Sequence, residues 1–218
     1  MENRIKQHIS QAPDQLTPML NRIDSNEALM EFLARYVAFN KVFGPCVSIL
    51  AGRIGLNPLF GSSIASPVFY AAIDEFGGAG KTDHSTLADA MLRTASKFLG
   101  LTLTDGNDHP PTRTAISQVI SGYTADQAGG ASRDDLLKAI GFHNGSEAMA
   151  DREFNTLNNY LNQQHPALIA ALEEGEGGRW IKIHNTVEEK HAEQAVRAAN
   201  LACNALPPEQ RKMQRHWC

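Results

Sequence analysis

The chain has 218 residues, of which 20% are charged and 42% hydrophobic, a balance that supports a buried core and excludes a disordered or low-complexity protein. Its 20 Lys and Arg against 24 Asp and Glu give a net charge of −4 with both signs dispersed, so the clustered cations that a phosphate backbone requires are missing and no nucleic-acid partner is expected. Cys46, Cys203 and Cys218 are far apart, lack metal-binding spacing and read as reduced thiols; no signal peptide follows Met1 and no run of ~18 apolar residues is seen, so a cytoplasmic protein with no membrane attachment is expected.

Along the chain the helical period dominates and strict β-type alternation is nearly missing, which predicts an all-α protein. After a polar leader (1–24), Ser25 or Asn26 caps a helix carrying Leu29, Phe32, Leu33, Tyr36, Val37, Asn40 and Val42, and Gly44-Pro45 marks a break or kink. Asn57-Pro58 and the stretch 61–66 read as a loop. Pro67 suits a first helical turn, and the helix it opens ends near Phe76 at Gly77-Gly78-Ala79-Gly80.

The next helix starts near Asp83 and sets His84, Leu87, Ala88, Met91, Leu92, Ala95, Phe98 and Leu99 on one stripe. Residues 101–111 form a loop, and a further helix covers 112–123. Ser132 with Asp135 resembles a capping box and opens a long helix through Asn162. His165-Pro166 and the Gly-Glu-Gly-Gly at 175–178 bracket a short helix. The last long helix spans about 179–205, before Pro207-Pro208 and a polar tail (207–218). No internal repeat and no long linker interrupts this order, so a single helical domain over 1–218 is expected.

On that last helix, His184, Glu188 and His191 fall at offsets 0, +4 and +7, the second and third at about +40° and −20° around the axis from the first. Trp180, Val187, Ala195 and Ala198 share their face, whereas Lys182, Asn185, Glu189, Glu193 and Arg197 fill the opposite one. Two imidazoles and a carboxylate therefore point at the core, where ionisable groups need partners. Iron, manganese or zinc would satisfy them, as would a hydrogen-bonded core network, and this helix alone leaves both open.

Other helices offer further ligand types. Glu75 continues the stripe of Val68, Ala71 and Ala72 just before the glycine turn, and His84 heads the next stripe, so the turn can bring them together. On the long helix, Ile140, His143, Glu147, Ala150, Phe154, Leu157 and Leu161 make one inward stripe in which Glu147 stands at an apolar position, with Glu153 about 120° away. Surface charges remain the alternative for Glu75 and Glu147.

Three segments carry a resemblance: Asp74-Glu75-Phe76-Gly77-Gly78 followed by His84; the run from Gly141 to Glu147 with Ala150-Asp151-Arg152-Glu153-Phe154; and His184-x3-Glu188-x2-His191. Together, over residues 67–198, they resemble the haem-oxygenase-like diiron oxidases and oxygenases, often described as iron-containing redox enzymes. Before Asn57 the likeness is that of a generic first helix pair, and Glu188 stands where the family more usually has Asp.

The resemblance implies a haem-oxygenase-like bundle of about seven helices without haem, in which Glu75, His84, Glu147, His184, Glu188 and His191 hold two Fe(II) ions, with Glu147 preferred to Glu153. It implies O2 as co-substrate and a small-molecule substrate, an amino acid or amine by analogy. Arg35, Tyr36, Asn40, Tyr70, His143, Asp151 and Arg152 are candidates for contacting that substrate or supporting the ligands. A homodimer stays open. Two further classes also stay open: metal-free relatives of the same bundle, either thiaminase-like with Cys46 or Cys203 as nucleophile or the oxidase that completes pyrroloquinoline quinone, and a non-catalytic metal-binding protein.

Overall fold

The computed structural model describes residues 14–124 and 132–213. Among them the regular structure is helical, with no strand: α1 (Leu16–Leu20), α2 (Asn26–Asn40), α3 (Phe43–Leu56), α4 (Gly61–Glu75), α5 (His84–Leu99), α6 (Pro110–Thr124), α7 (Arg133–Gln164), α8 (Pro166–Glu173), α9 (Gly177–Ala205) and α10 (Pro208–Met213), with short 3-10 turns at Gly78–Gly80 and Gly106–Asp108.

The helix starts follow local chemistry. Ser25 Oγ accepts the Ala28 N–H, Asp83 Oδ1 the Thr86 N–H, and Ser132 Oγ the Asp135 N–H, each satisfying an amide that has no partner within its helix. Gly77 and Gly100, both left-handed, stop α4 and α5.

Several expectations are corrected. The break after α2 falls at Lys41-Val42; Gly44-Pro45 lies in the first turn of α3, where proline's missing N–H costs nothing. Residues 61–66 are helical rather than a loop, and Pro67 sits inside α4, because Ile64, Ala65, Val68, Ala71 and Ala72 form one continuous buried stripe against α3. The polar leader contains α1, whose Leu16 and Leu20 are buried, and Phe98 turns to solvent beside the α5 stripe. Cys203 is disulfide-bonded, against the expectation of reduced thiols, while Cys46 is free and buried; Cys218 and the other residues after 213 lie outside the described residues.

The core divides into two apolar clusters. One gathers residues of α3, α4, α6, the start of α7 and the end of α9; the other gathers α1, α2, α5, the end of α7, α8 and the start of α9. The longest helices, α7 and α9, pack on each other and belong to both. Between the clusters, Ile140 gives way to His143 and Glu147 on α7, and Ile181 to His184, Glu188 and His191 on α9, so a polar waist crosses the middle of the bundle. Asn26–Leu56 is, contrary to expectation, a stretch long and apolar enough to cross a membrane by length and composition, yet the chain turns at Lys41-Val42 and its residues join both core clusters.

Candidate metal centre

The six residues singled out from the sequence converge as two groups of three. Glu75, His84 and His184 present ligand atoms within 4.8 Å of one another, and so do Glu147, Glu188 and His191. Five of the six are buried, and the Glu75 side chain is about one-fifth exposed.

The first group is built by a turn. Glu75 is the last residue of α4 and His84 the first of α5; between them Gly77, at φ +69°, folds the chain so tightly that a Cβ on it would meet the Lys81 carbonyl oxygen at 2.2 Å. His84 Nδ1 thereby reaches Glu75 Oε1 at 3.0 Å. Burial works to raise the Glu75 carboxyl, but His84, His184 and His191 outweigh it and hold the pKa below the ordinary carboxylate value. His84 moves the other way: burial opposes its charge, and Glu75 and Asp74 overcome that to raise it.

His184 comes from α9. Its Nδ1–H donates to the Trp180 carbonyl one turn earlier at 2.7 Å, and its ring stacks on Phe154 with centroids 4.0 Å apart, which fixes the tautomer and leaves the Nε2 lone pair available. Burial depresses its pKa, so the imidazole is neutral at pH 7, the form a metal requires.

In the second group Glu188 Oε2 and Glu147 Oε2 lie 3.6 and 3.7 Å from His191 Nδ1. Burial and the neighbouring Glu188 push the Glu147 carboxyl up to about 8. Burial alone would depress His191, but Asp74, Glu188 and Glu147 lift it to about 11. Without a cation, then, buried carboxylates crowd this point and protons hold them together.

Two supports were not foreseen. Asp74 Oδ2 lies 3.4 Å from His191 Nε2 and 3.8 Å from His84 Nε2, so one carboxylate oxygen faces an imidazole of each group. The Asp74 and His191 atoms are buried and too poorly aligned for a hydrogen bond, leaving both without one. Asp74 was present in the quoted motif, but adjacent helical positions point to different faces, which hid its relation to Glu75.

The second support is a closed ring under Glu147. Ser146 Oγ–H donates to the His143 carbonyl (2.9 Å), so the Tyr123 hydroxyl donates to Ser146 Oγ (2.6 Å) and accepts from His143 Nδ1–H (3.1 Å). His143 Nδ1 is also 3.2 Å from Glu147 Oε1. Burial holds the His143 pKa down at about 3, so it is a neutral donor. The i, i+4 spacing of His143 and Glu147 signalled their contact; nothing local to Tyr123 signalled the ring.

Other candidates separate. Tyr36 is buried among Phe32, Phe154 and Trp180, with a hydroxyl that has no hydrogen-bond partner. Tyr70, 43% exposed, sets its ring edge-on to His191 at 6.1 Å. Arg35 pairs with Glu31, Asp151 holds Asn155, and Arg152 is engaged elsewhere; none of the three lines a cavity of this region.

Two cavities open on these candidate ligands. One of ≈ 190 Å³ is lined by Asn40, Lys41, Asp83, Ser85, Glu75, His84 and His184. The other, of ≈ 170 Å³, reaches Glu75, His184, Glu147 and Glu188 of both groups; Asn40 and Glu153 also line it, so Glu153 is a cavity residue and not a member of either group.

The donor set suits two hard, divalent ions. Three imidazoles and three carboxylates match Fe(II) or Mn(II), and crowded buried carboxylates that must otherwise be protonated are relieved by a cation. Comparison with known proteins points the same way: a family model described as iron-containing redox enzyme matches residues 30–216. No curated protein and no solved structure matches the chain.

Proposed function

The chain belongs to the iron-containing redox enzyme family, and from that membership we propose that it is a non-haem diiron, O2-activating oxidase or oxygenase acting on a small amine or amino acid. The observation that carries this reading is the pair of buried His/Glu groups opening onto one cavity. Glu75, His84 and His184 would hold one ion, and Glu147, Glu188 and His191 the other.

Iron bound there supplies the electrons that reduce O2 and the oxidising power for desaturation, N-oxygenation or carbon–carbon cleavage. The chain's own residues do the rest. His184 is oriented by the Trp180 carbonyl and Phe154, and the neutral His143 ring, held by Tyr123, lies beneath Glu147 with Nδ1 3.2 Å from its Oε1. At pH 7 the Glu147 carboxyl, with its pKa near 8, holds a proton that a metal ion must displace. Phe39, Phe43, Val119 and Phe142 line the cavity and exclude water from the reacting face.

Anaerobic loading with Fe(II), a count of irons per chain and rapid mixing with O2 test the reading. Two irons and a transient O2-dependent visible absorption are expected. Iron that binds without any change on oxygenation would favour a storage or structural metal protein, and no iron at all would overturn the proposal.

A further inference from the structure

The cavity that reaches both groups has an uneven lining. Its walls are apolar, with Phe39, Phe43, Val119, Phe142, Met149 and Phe154, while Glu75, Glu147, His184 and Glu188 belong to the candidate metal centre. Of the remaining polar lining residues, Ser146 is saturated by Tyr123 and the His143 carbonyl, and the Asn40 amide donates to the Tyr36 carbonyl. Among the described residues that leaves Glu153 as the one ionisable lining residue outside the two groups, and no Lys or Arg lines this cavity.

Glu153 takes part in no hydrogen bond or ion pair among the described residues. Burial raises its pKa, and the nearby Arg152 charge only partly opposes this. A half-buried carboxylate beside an apolar chamber is costly unless something cationic meets it. Its position also sets a distance. Six residues separate it from Glu147 on α7, a rise of about 9 Å along the helix, so whatever it binds is held well away from the ligand carboxylates.

We infer that Glu153 is the recognition residue for an alkylammonium group, and that the substrate is a small monoamine with an apolar body rather than a free amino acid or a fatty acid. It rests on the reading of this cavity as the substrate chamber. A free amino acid or a fatty acid would bring a carboxylate that, away from the metal groups, meets only the like charge of Glu153 and no Lys or Arg among the described residues. A monoamine places its ammonium on Glu153 and its hydrocarbon against the phenylalanines, with the far end of the chain toward the two metal groups. A volume of ≈ 170 Å³ lies below the ~300–1,000 Å³ of common ligand pockets and restricts the ligand to a short chain.

Calorimetric titration of the full chain with n-hexylamine, 1-hexanol and hexanoate tests this, run on metal-free protein and on anaerobic Fe(II)-loaded protein. Hexylamine is expected to bind at least about tenfold tighter than hexanol, the range of a charge-assisted hydrogen bond. Glu153→Gln is expected to abolish that preference while leaving the iron count and the melting temperature unchanged, and Glu153→Asp to retain part of it. Equal binding of amine and alcohol, tightest binding of hexanoate, or an intact preference in Glu153→Gln would overturn the inference. If wild-type protein takes up iron but shows no amine preference, the inference alone fails. If it prefers amines through Glu153 yet takes up no iron, the oxidase reading alone fails.

Discussion

Gly44, in the first turn of α3, lies against Glu75 of the candidate metal centre, and Gly44→Ala tests what that contact does. A Cβ there would stand 3.1 Å from Glu75 Cβ, 3.6 Å from its Cγ and 3.5 Å from Oε2. Carbon atoms prefer about 3.5–4.0 Å, so Glu75 must retreat by about 0.5 Å, comparable with the positional tolerance of a working site. Overpacking costs about 1–3 kcal/mol and the helix propensity of alanine returns about 1, so the net change in stability is a loss of about 0–2 kcal/mol, or a melting shift of a few degrees for a chain of this size. The metal centre should suffer more, with about 10–100-fold weaker binding at the Glu75, His84 and His184 group. Gly52→Ala, on the same helix and with nothing within 4 Å of its added Cβ, is the control and should stabilise by about 0.5–1 kcal/mol with metal binding unchanged. Thermal melts of metal-free protein and anaerobic Fe(II) titrations read both effects. A Gly44→Ala protein that matches Gly52→Ala in melting and in metal affinity would refute the argument.

His191→Ala should lose the metal at its own group, halving the iron count by elemental analysis, and Glu147→Gln should do the same; full loading of Glu147→Gln would mean that Glu147 is not a ligand. Asp74→Asn keeps the shape but removes a charge facing both His84 and His191, so metal affinity should fall about 10–100-fold at pH 7 with little change in fold, as checked by circular dichroism beside the titration. The pH dependence of metal-free stability has two limbs. His143, held at about 3, lies below its unfolded value of ~6.5, so its contribution is present above about pH 6.5 and is lost as the pH falls toward 3. His191, lifted to about 11, contributes fully below ~6.5, and that contribution is lost as the pH rises toward 11. Glu147, pushed up to about 8, contributes fully below its unfolded ~4.3 and loses that contribution as the pH rises toward 8. Urea midpoints with a chelator present should therefore rise from about pH 3 to about 4.5, change little to about 6.5 and fall above it, and His143→Asn should flatten the acid limb; an unchanged acid limb would assign it elsewhere.

Much of this candidate centre was legible because its residues obey helical arithmetic. His184, Glu188 and His191 share a face by spacing alone, and Glu147 betrays itself as a carboxylate in an apolar stripe. Glu75 and His84 are joined by a turn whose glycines announce it. What stayed hidden depends on contacts between helices. Gly44 reads locally as a breaker, whereas its lack of a side chain serves a residue 31 positions later, Glu75. Tyr123 meets His143 only because α6 lies against α7. Residues 61–66 read as a loop because Gly, Ser and Pro disfavour helix interiors, and packing against α3 overrides that preference. Arg35 and Arg152 were plausible cavity residues by composition, yet the side chain lining the cavity is that of Glu153, whose offset from Glu147 had counted against it.

The polar waist has a mechanical consequence. Where α7 crosses α9 the chain spends its most buried contact on Glu147, Glu188, His184, His191 and His143 instead of on hydrocarbon. Two apolar lobes thus meet along a seam of charge, and a divalent cation held by the two candidate groups would be the stitch. Metal supply would then govern how long the folded chain survives in a cell as well as whether it turns over, because a ligand that binds only the folded state adds its binding energy to the fold.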